Sequence, residues 1–136
     1  MINRILLIAA FAVTTLSGAL AQGAAKPTLV GTFKDWTTWS YSGSYNGGGE
    51  GKICYIYAEP AEMTPPKLDH GRVSFSITSS PAAGVQQEAN FVAGYQMKEQ
   101  SSVTVDIDGE KFTMFTQGDS AWLVDKADEP KLLEAM

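Results

Sequence analysis

The chain is built from one repeated pattern: short segments that alternate apolar and polar side chains, each broken after a few residues by glycine or proline. Such segments are too short for amphipathic helices and carry the period of a half-buried strand. Arg72-Val73-Ser74-Phe75-Ser76-Ile77-Thr78 alternates most cleanly, with Val73, Phe75 and Ile77 on one face. Val103, Val105 and Ile107 alternate with Ser102, Thr104 and Asp106, and Lys111 to Thr116 returns after Asp108-Gly109. That dipeptide is a two-residue hairpin turn, because both central positions of a type I′ turn need positive φ. Further strands are expected over Thr28 to Phe33, Trp36 to Tyr41, Lys52 to Ala58, Glu88 to Ala93 and Ala121 to Val124. Ser42 to Gly51 holds Gly43, Gly47, Gly48, Gly49 and Gly51, with Tyr45 as its one hydrophobic residue, and reads as a flexible hairpin loop. It is no phosphate loop, since no Gly-Lys-Ser/Thr follows and no helix opens after it. Pro60, Pro65 and Pro66 mark a long connection, Glu59 to Gly71. Near the end Asp128 is placed to cap a short helix, Pro130 suits its first turn, and Leu132, Leu133 and Met136 recur at helical spacing. The expected fold class is all-β: an antiparallel β-sandwich or barrel-like sheet with a short C-terminal helix.

The N-terminus limits where this sheet works. Met1-Ile2-Asn3-Arg4 is short and positively charged, Ile5 to Val13 is apolar, and Ala19-Leu20-Ala21 precedes Gln22 with small residues at both recognition positions. This is the layout of a secretory signal peptide. The apolar run is too short and too rich in Ala, Gly, Thr and Ser to span a bilayer, which takes about 20 apolar residues. No lipobox cysteine is near. The expected organisation is a signal peptide over residues 1–21, a flexible mature N-terminus over 22–27, and a single β-rich domain over 28–136. The protein is then periplasmic, secreted or at the cell surface. The formal charge is −5, and removing Arg4, the leader's one charged side chain, leaves −6. An acidic chain without a basic stripe argues against nucleic acid and anionic lipid as partners. No second apolar run reaches spanning length.

Chemistry-bearing residues are few. Cys54 is the one cysteine, so no internal disulfide can form; it sits in the alternating Lys52-Ile53-Cys54-Tyr55-Ile56-Tyr57 and reads as a small hydrophobe in a sheet. His70 is the one histidine and lies in a polar loop, with no G-x-S-x-G elbow in the chain to supply a nucleophile. One His and one Cys do not close a zinc site. Asp106, Asp108 and Glu110 are spaced like alternate calcium ligands, but Gly109 follows Asp108 as a hairpin demands, and the remaining EF-hand ligands are out of register. No catalytic residue, metal or cofactor is assigned. Trp36, Trp39, Tyr41 and Tyr45 run into the glycine-rich segment. Trp36 reads as core, and Trp39, Tyr41 and Tyr45 are the candidate partner-binding residues, since exposed aromatics dock partners or stack on sugars.

Several motifs share the order of a known family. They are Phe33-Lys34-Asp35-Trp36, Lys52-Ile53-Cys54-Tyr55, Gly94-Tyr95-Gln96-Met97-Lys98, the hairpin Val105 to Phe115, Gly118-Asp119-Ser120-Ala121-Trp122, and Leu132-Leu133-Glu134-Ala135-Met136. Together they resemble the invasion-associated locus B family of exported bacterial proteins, over nearly the whole mature chain. The resemblance implies an extracytoplasmic β-rich protein, and the family name comes from a role in invading host cells. Members commonly carry a second cysteine soon after the Trp, where this chain has Trp39, Ser40 and Tyr41. They also continue past the helix with a basic, Gly- and Ser-rich segment and further strands, so the resemblance implies a C-terminally short member with an unpaired sheet edge. No catalytic set attaches to the family. The expected function is a non-enzymatic envelope protein that binds another envelope component or a host factor. The alternative is a periplasmic hydrolase, which would need His70 beside an acid and a hydroxyl.

Overall fold

The structure is a computed structural model that describes residues 25–136. The expected signal peptide and the mature start at Gln22 lie outside the described residues.

Alternation dictates the architecture. β1 (Thr28–Phe33), β2 (Trp36–Ser44), β3 (Glu50–Ala58), β4 (Ser74–Ser80), β5 (Val85–Val92), β6 (Ser102–Ile107), β7 (Glu110–Gln117) and β8 (Ser120–Leu123) form one antiparallel sheet, followed by α1 (Glu129–Ala135). The strand order is β1-β2-β3-β4-β5-β8-β7-β6. The first five strands run as a meander. The last three fold back so that β8 pairs with β5. The fold is all-β as expected, and among the described residues the sheet is open, with β1 and β6 as its edges.

That sheet is strongly curled. Six strand steps separate β2 from β6, roughly 29 Å in a flat sheet at about 4.8 Å per step. Yet Trp36 of β2 and Val105 and Ile107 of β6 line one cleft. The curl makes an inner face. Ile77, Ala89, Phe112, Met114, Ala121 and Leu123 meet there around Leu132 of α1, with Ile56, Phe75, Phe91, Val103 and Leu133 packed at the margin. Leu132 is fully buried, and burying such a side chain stabilises by about 2–3 kcal/mol. A seven-residue helix is marginal alone, so this contact holds α1 on the sheet.

Local chemistry accounts for most boundaries. Asp108 and Gly109 take φ of 51° and 94°, as the type I′ turn requires, and Asp106 Oδ1 accepts from the Gly109 N–H at 2.9 Å. That carboxylate also lies 3.9 Å from Lys111 Nζ. It therefore serves the hairpin rather than a calcium loop.

Two local expectations are corrected. Residues 42–51 are not one loose loop. β2 and β3 stay paired from Thr37↔Tyr57 through Ser44↔Glu50, and only the tip turns. Two of the glycines are there for close approach: a Cβ at Gly48 would lie 2.5 Å from Ala83 Cβ, and one at Gly51 2.6 Å from Ala82 Cβ. The 3-10 turn Pro81–Ala83 packs directly onto this hairpin backbone. Asp128 does not cap α1 with its side chain. A 3-10 turn precedes the helix, capped by Asp125, whose Oδ1 accepts from the Ala127 N–H at 2.9 Å. Asp128 instead pairs with Lys131 at 2.7 Å. Pro130 sits in the first turn as expected.

Candidate functional site: an aromatic sheet face

Period two separates the aromatics of β2 and β3 onto opposite faces. Trp36 points inward, its ring edge-on to Phe75 at 6.4 Å. Thr37, Trp39 and Tyr41 fall on the outer face, directly opposite Tyr57, Tyr55 and Ile53 of β3. All three candidate partner-binding residues, Trp39, Tyr41 and Tyr45, lie on this face, Tyr45 reaching across it to Glu88. The Tyr41 and Tyr55 rings meet edge-to-face at 6.4 Å. The Trp39 indole N–H donates to Thr37 Oγ1 at 3.0 Å, and Thr37 Oγ1 donates to the Tyr57 carbonyl at 3.2 Å. These bonds fix the Trp39 ring against its own strand. Burial raises the Tyr55 hydroxyl above its ordinary value, helped by Tyr41 and Tyr57, so it stays neutral at physiological pH.

One end of this face carries charge. The Arg72 guanidinium sits 5.7 Å over the Tyr57 ring, and its Nε donates to Tyr57 Oη at 3.2 Å. Tyr57 Oη donates to Glu59 Oε1 at 2.9 Å, and that oxygen lies 3.6 Å from Arg72 Nε. The bond to Tyr57 and its partial charge, then Glu59, raise the Arg72 pKa further. Pro27, Thr37, Trp39, Tyr55, Tyr57 and Arg72 enclose a groove of about 350 Å³. Trp, Tyr and Arg are the residue types that dominate binding hot spots.

Tyr45 lies on the same outer face, at its other end. Its hydroxyl donates to Glu88 Oε1 of β5 at 2.7 Å, and Glu88 continues the cross-strand row Trp39–Tyr55–Thr78. Burial, then the Glu88 bond and charge, push its pKa up to about 12. Its role is to clamp the hairpin tip to β5. Ser80 Oγ is fully buried and has no hydrogen-bond partner among the described residues.

The inner face opens at one end into an apolar cleft of about 370 Å³, lined by Trp36, Phe75, Phe91, Val105, Ile107 and Met136 among others. Cys54 is half-buried on β3, facing the inner side with Ile56. His70 lies in the connection between β3 and β4, its Nε2 2.9 Å from the Pro65 carbonyl oxygen. The neighbouring Asp69 accepts from the Gly71 N–H at 2.9 Å. Among the described residues no hydroxyl or carboxylate hydrogen-bonds to the imidazole, and no three potential metal ligands gather. No helix of the described residues is long and apolar enough to cross a membrane.

Sequence reasoning missed Tyr55, Tyr57 and Arg72. The two tyrosines were legible as one face of the β3 alternation, but their position beside Trp39 needs the β2–β3 register. Arg72 reaches them only because the proline-rich connection ends beside β3. Comparison with protein-family models, with curated proteins and with solved structures returns no match.

Proposed function

We propose that the chain is an exported envelope protein of the invasion-associated locus B type that works by binding a protein partner, without catalysis. The observation that carries this reading is the outer bank of Trp39, Tyr41, Tyr55 and Tyr57 with Arg72 at its end. The rings are half-buried and braced by hydrogen bonds and edge-to-face contacts, so little side-chain freedom is lost when a partner covers them. Arg72 adds a cation for a carboxylate on that partner. The N-terminal Arg4, apolar run and Ala19-Leu20-Ala21 support export. The ordered motifs from Phe33-Lys34-Asp35-Trp36 to the terminal helix support the family reading. In that reading the partner is an envelope component or a host factor, and host-cell invasion is the physiological setting.

The test is affinity capture of the exported protein beside its Trp39→Ala variant. A specific partner retained by the parent and lost at least tenfold by the folded variant supports the reading. Equal capture by both, or no specific partner for either, refutes this face as the binding surface.

A further inference from the structure

We propose that Gly71 and Gly94 are positioning residues for the binding face: their backbone-on-backbone contact seats Arg72 over Tyr57, with its terminal nitrogens turned to a carboxylate of the partner. The inference rests on the reading of the outer bank as the binding surface. Arg72 is the one member of that bank carried by no strand. It ends the long β3–β4 connection with 80% of its side chain exposed, so no ladder fixes it. Its guanidinium is held at one atom: Nε donates to Tyr57 Oη at 3.2 Å and lies 3.6 Å from Glu59 Oε1. Among the described residues no bond engages the two terminal nitrogens, the pair that forms a fork for a carboxylate. Both restraints sit at their limits. The guanidinium lies 5.7 Å from the ring centroid, where cation–π contact fades beyond about 6 Å, and the 3.2 Å bond is at the long end of the range. A small shift of the Arg72 backbone breaks them.

The seat is built from two bare glycines. Gly71 and Gly94 take φ of 63° and 74°, a region that strains any residue with a side chain. A Cβ on Gly94 would lie 2.7 Å from Arg72 N and 2.9 Å from Arg72 O, and would also strike the His70 carbonyl oxygen. A Cβ on Gly71 would lie 2.5 Å from the Gly94 carbonyl oxygen. Each glycine therefore needs the other bare. The Gly94 side is fixed. The Ala93 N–H donates to the Asp119 carbonyl at 2.8 Å, and the Met97 N–H to the Gly118 carbonyl at 2.9 Å. These bonds tie Gly94-Tyr95-Gln96-Met97 to the β7–β8 turn and give this motif its task. The Arg72 side is an exposed connection, steadied by the Gly71 N–H donating to Asp69 Oδ1 at 2.9 Å. A methyl at position 94 must then move Arg72, by more than about 0.5 Å, since a carbon rests at about 3.5 Å from atoms it is not bonded to.

The experiment reads two signals from the exported chain: the NMR resonance of the Arg72 Nε–H, shifted by the Tyr57 ring, and capture of the partner that Trp39→Ala loses. Tyr57→Leu gives the resonance of a released Arg72. Gly94→Ala is expected to move the signal to that position and to cut capture at least fivefold, as Arg72→Ala does. Joining Gly94→Ala to Arg72→Ala should cost nothing more. Gly51→Ala, which strains the fold elsewhere, should leave both signals in place. If Gly94→Ala does not fold, Asp69→Ala decides: it removes an exposed carboxylate that steadies the Gly71 turn, and it should move the resonance the same way and lower capture. An Arg72 resonance unmoved in the deciding variant overturns the seat. So does a moved resonance with full capture, a further loss in the double variant, or an equal loss from Gly51→Ala. A parent with no Trp39-dependent partner overturns the binding reading itself, and the proposal with it.

Discussion

Replacing Gly51 by alanine tests why the β2–β3 hairpin is so rich in glycine. The new Cβ would lie 2.6 Å from Ala82 Cβ, whereas carbon atoms rest at about 3.5–4.0 Å. The shortfall is about 1 Å. Ala82 cannot rotate away, because its methyl is fixed to the backbone of a 3-10 turn. Overpacking of this kind costs typically 1–3 kcal/mol. Against it stands about 0.4–1 kcal/mol gained by restricting the unfolded chain. The net loss should be about 1–2 kcal/mol, or roughly 4–8 °C in melting temperature for a domain of this size. Gly31→Ala is the control: a Cβ there meets nothing within 4 Å, so this variant should match or slightly exceed the parent. Adding Ala82→Gly to Gly51→Ala should recover most of the loss, and the double-mutant cycle isolates the contact. Thermal unfolding followed by circular dichroism reads all four proteins. If Gly51→Ala melts with Gly31→Ala, the glycines are not there for close packing, and the flexible-loop interpretation returns.

Three further outcomes are expected. Leu132→Ala should lower stability by about 3 kcal/mol, since it empties a fully buried site at the helix–sheet contact; chemical denaturation checks it, and a loss below about 1 kcal/mol would show that α1 is not anchored there. Tyr45, held neutral in the folded state up to about pH 12 against an ordinary value near 10, should be the late phase of a tyrosine absorbance titration, a phase that Tyr45→Phe removes. Because the folded state keeps this proton longer than the unfolded one, the contribution is full below about pH 10 and is lost as pH rises toward 12; for a half-exposed ring, solvent screening holds it near 1 kcal/mol. His70→Ala should leave the fold and partner binding unchanged, with a stability change within about 0.5 kcal/mol; loss of binding or of any hydrolytic activity in the folded variant would reverse the non-catalytic reading.

How much was legible follows from what each signal depends on. Alternation and turn chemistry are local, so β6, Asp108-Gly109 and β7 could be read directly, and β1 coincides with its expected span. Backbone approach is not local. Gly48, Gly49 and Gly51 looked like flexibility because the atoms that crowd them, in Ala82 and Ala83, come from beyond β4. Helix capping shifted for a related reason. Asp125 and Asp128 both precede an apolar helix, and only the 3-10 turn between them decides which carboxylate meets an N–H. In the candidate site, Trp39 and Tyr41 were visible as alternate residues of one strand. Tyr45 shares their face, but its bond to Glu88 of β5 depends on the register of four strands and could not be read from sequence. The choice between sandwich and barrel depended on strand order, which pairs β5 with β8 and cannot be read from periodicity.

The central claim is that the outer face of β2 and β3 meets a protein partner. Its most direct measurement is position-specific photocrosslinking in cells that export the chain. A photoreactive residue is placed in turn at Trp39, Tyr55 and, as control, Lys111, which is exposed on β7. The account predicts one discrete higher-mass adduct from positions 39 and 55 and none from 111. Adducts absent from 39 and 55, or equal from all three positions, would contradict it.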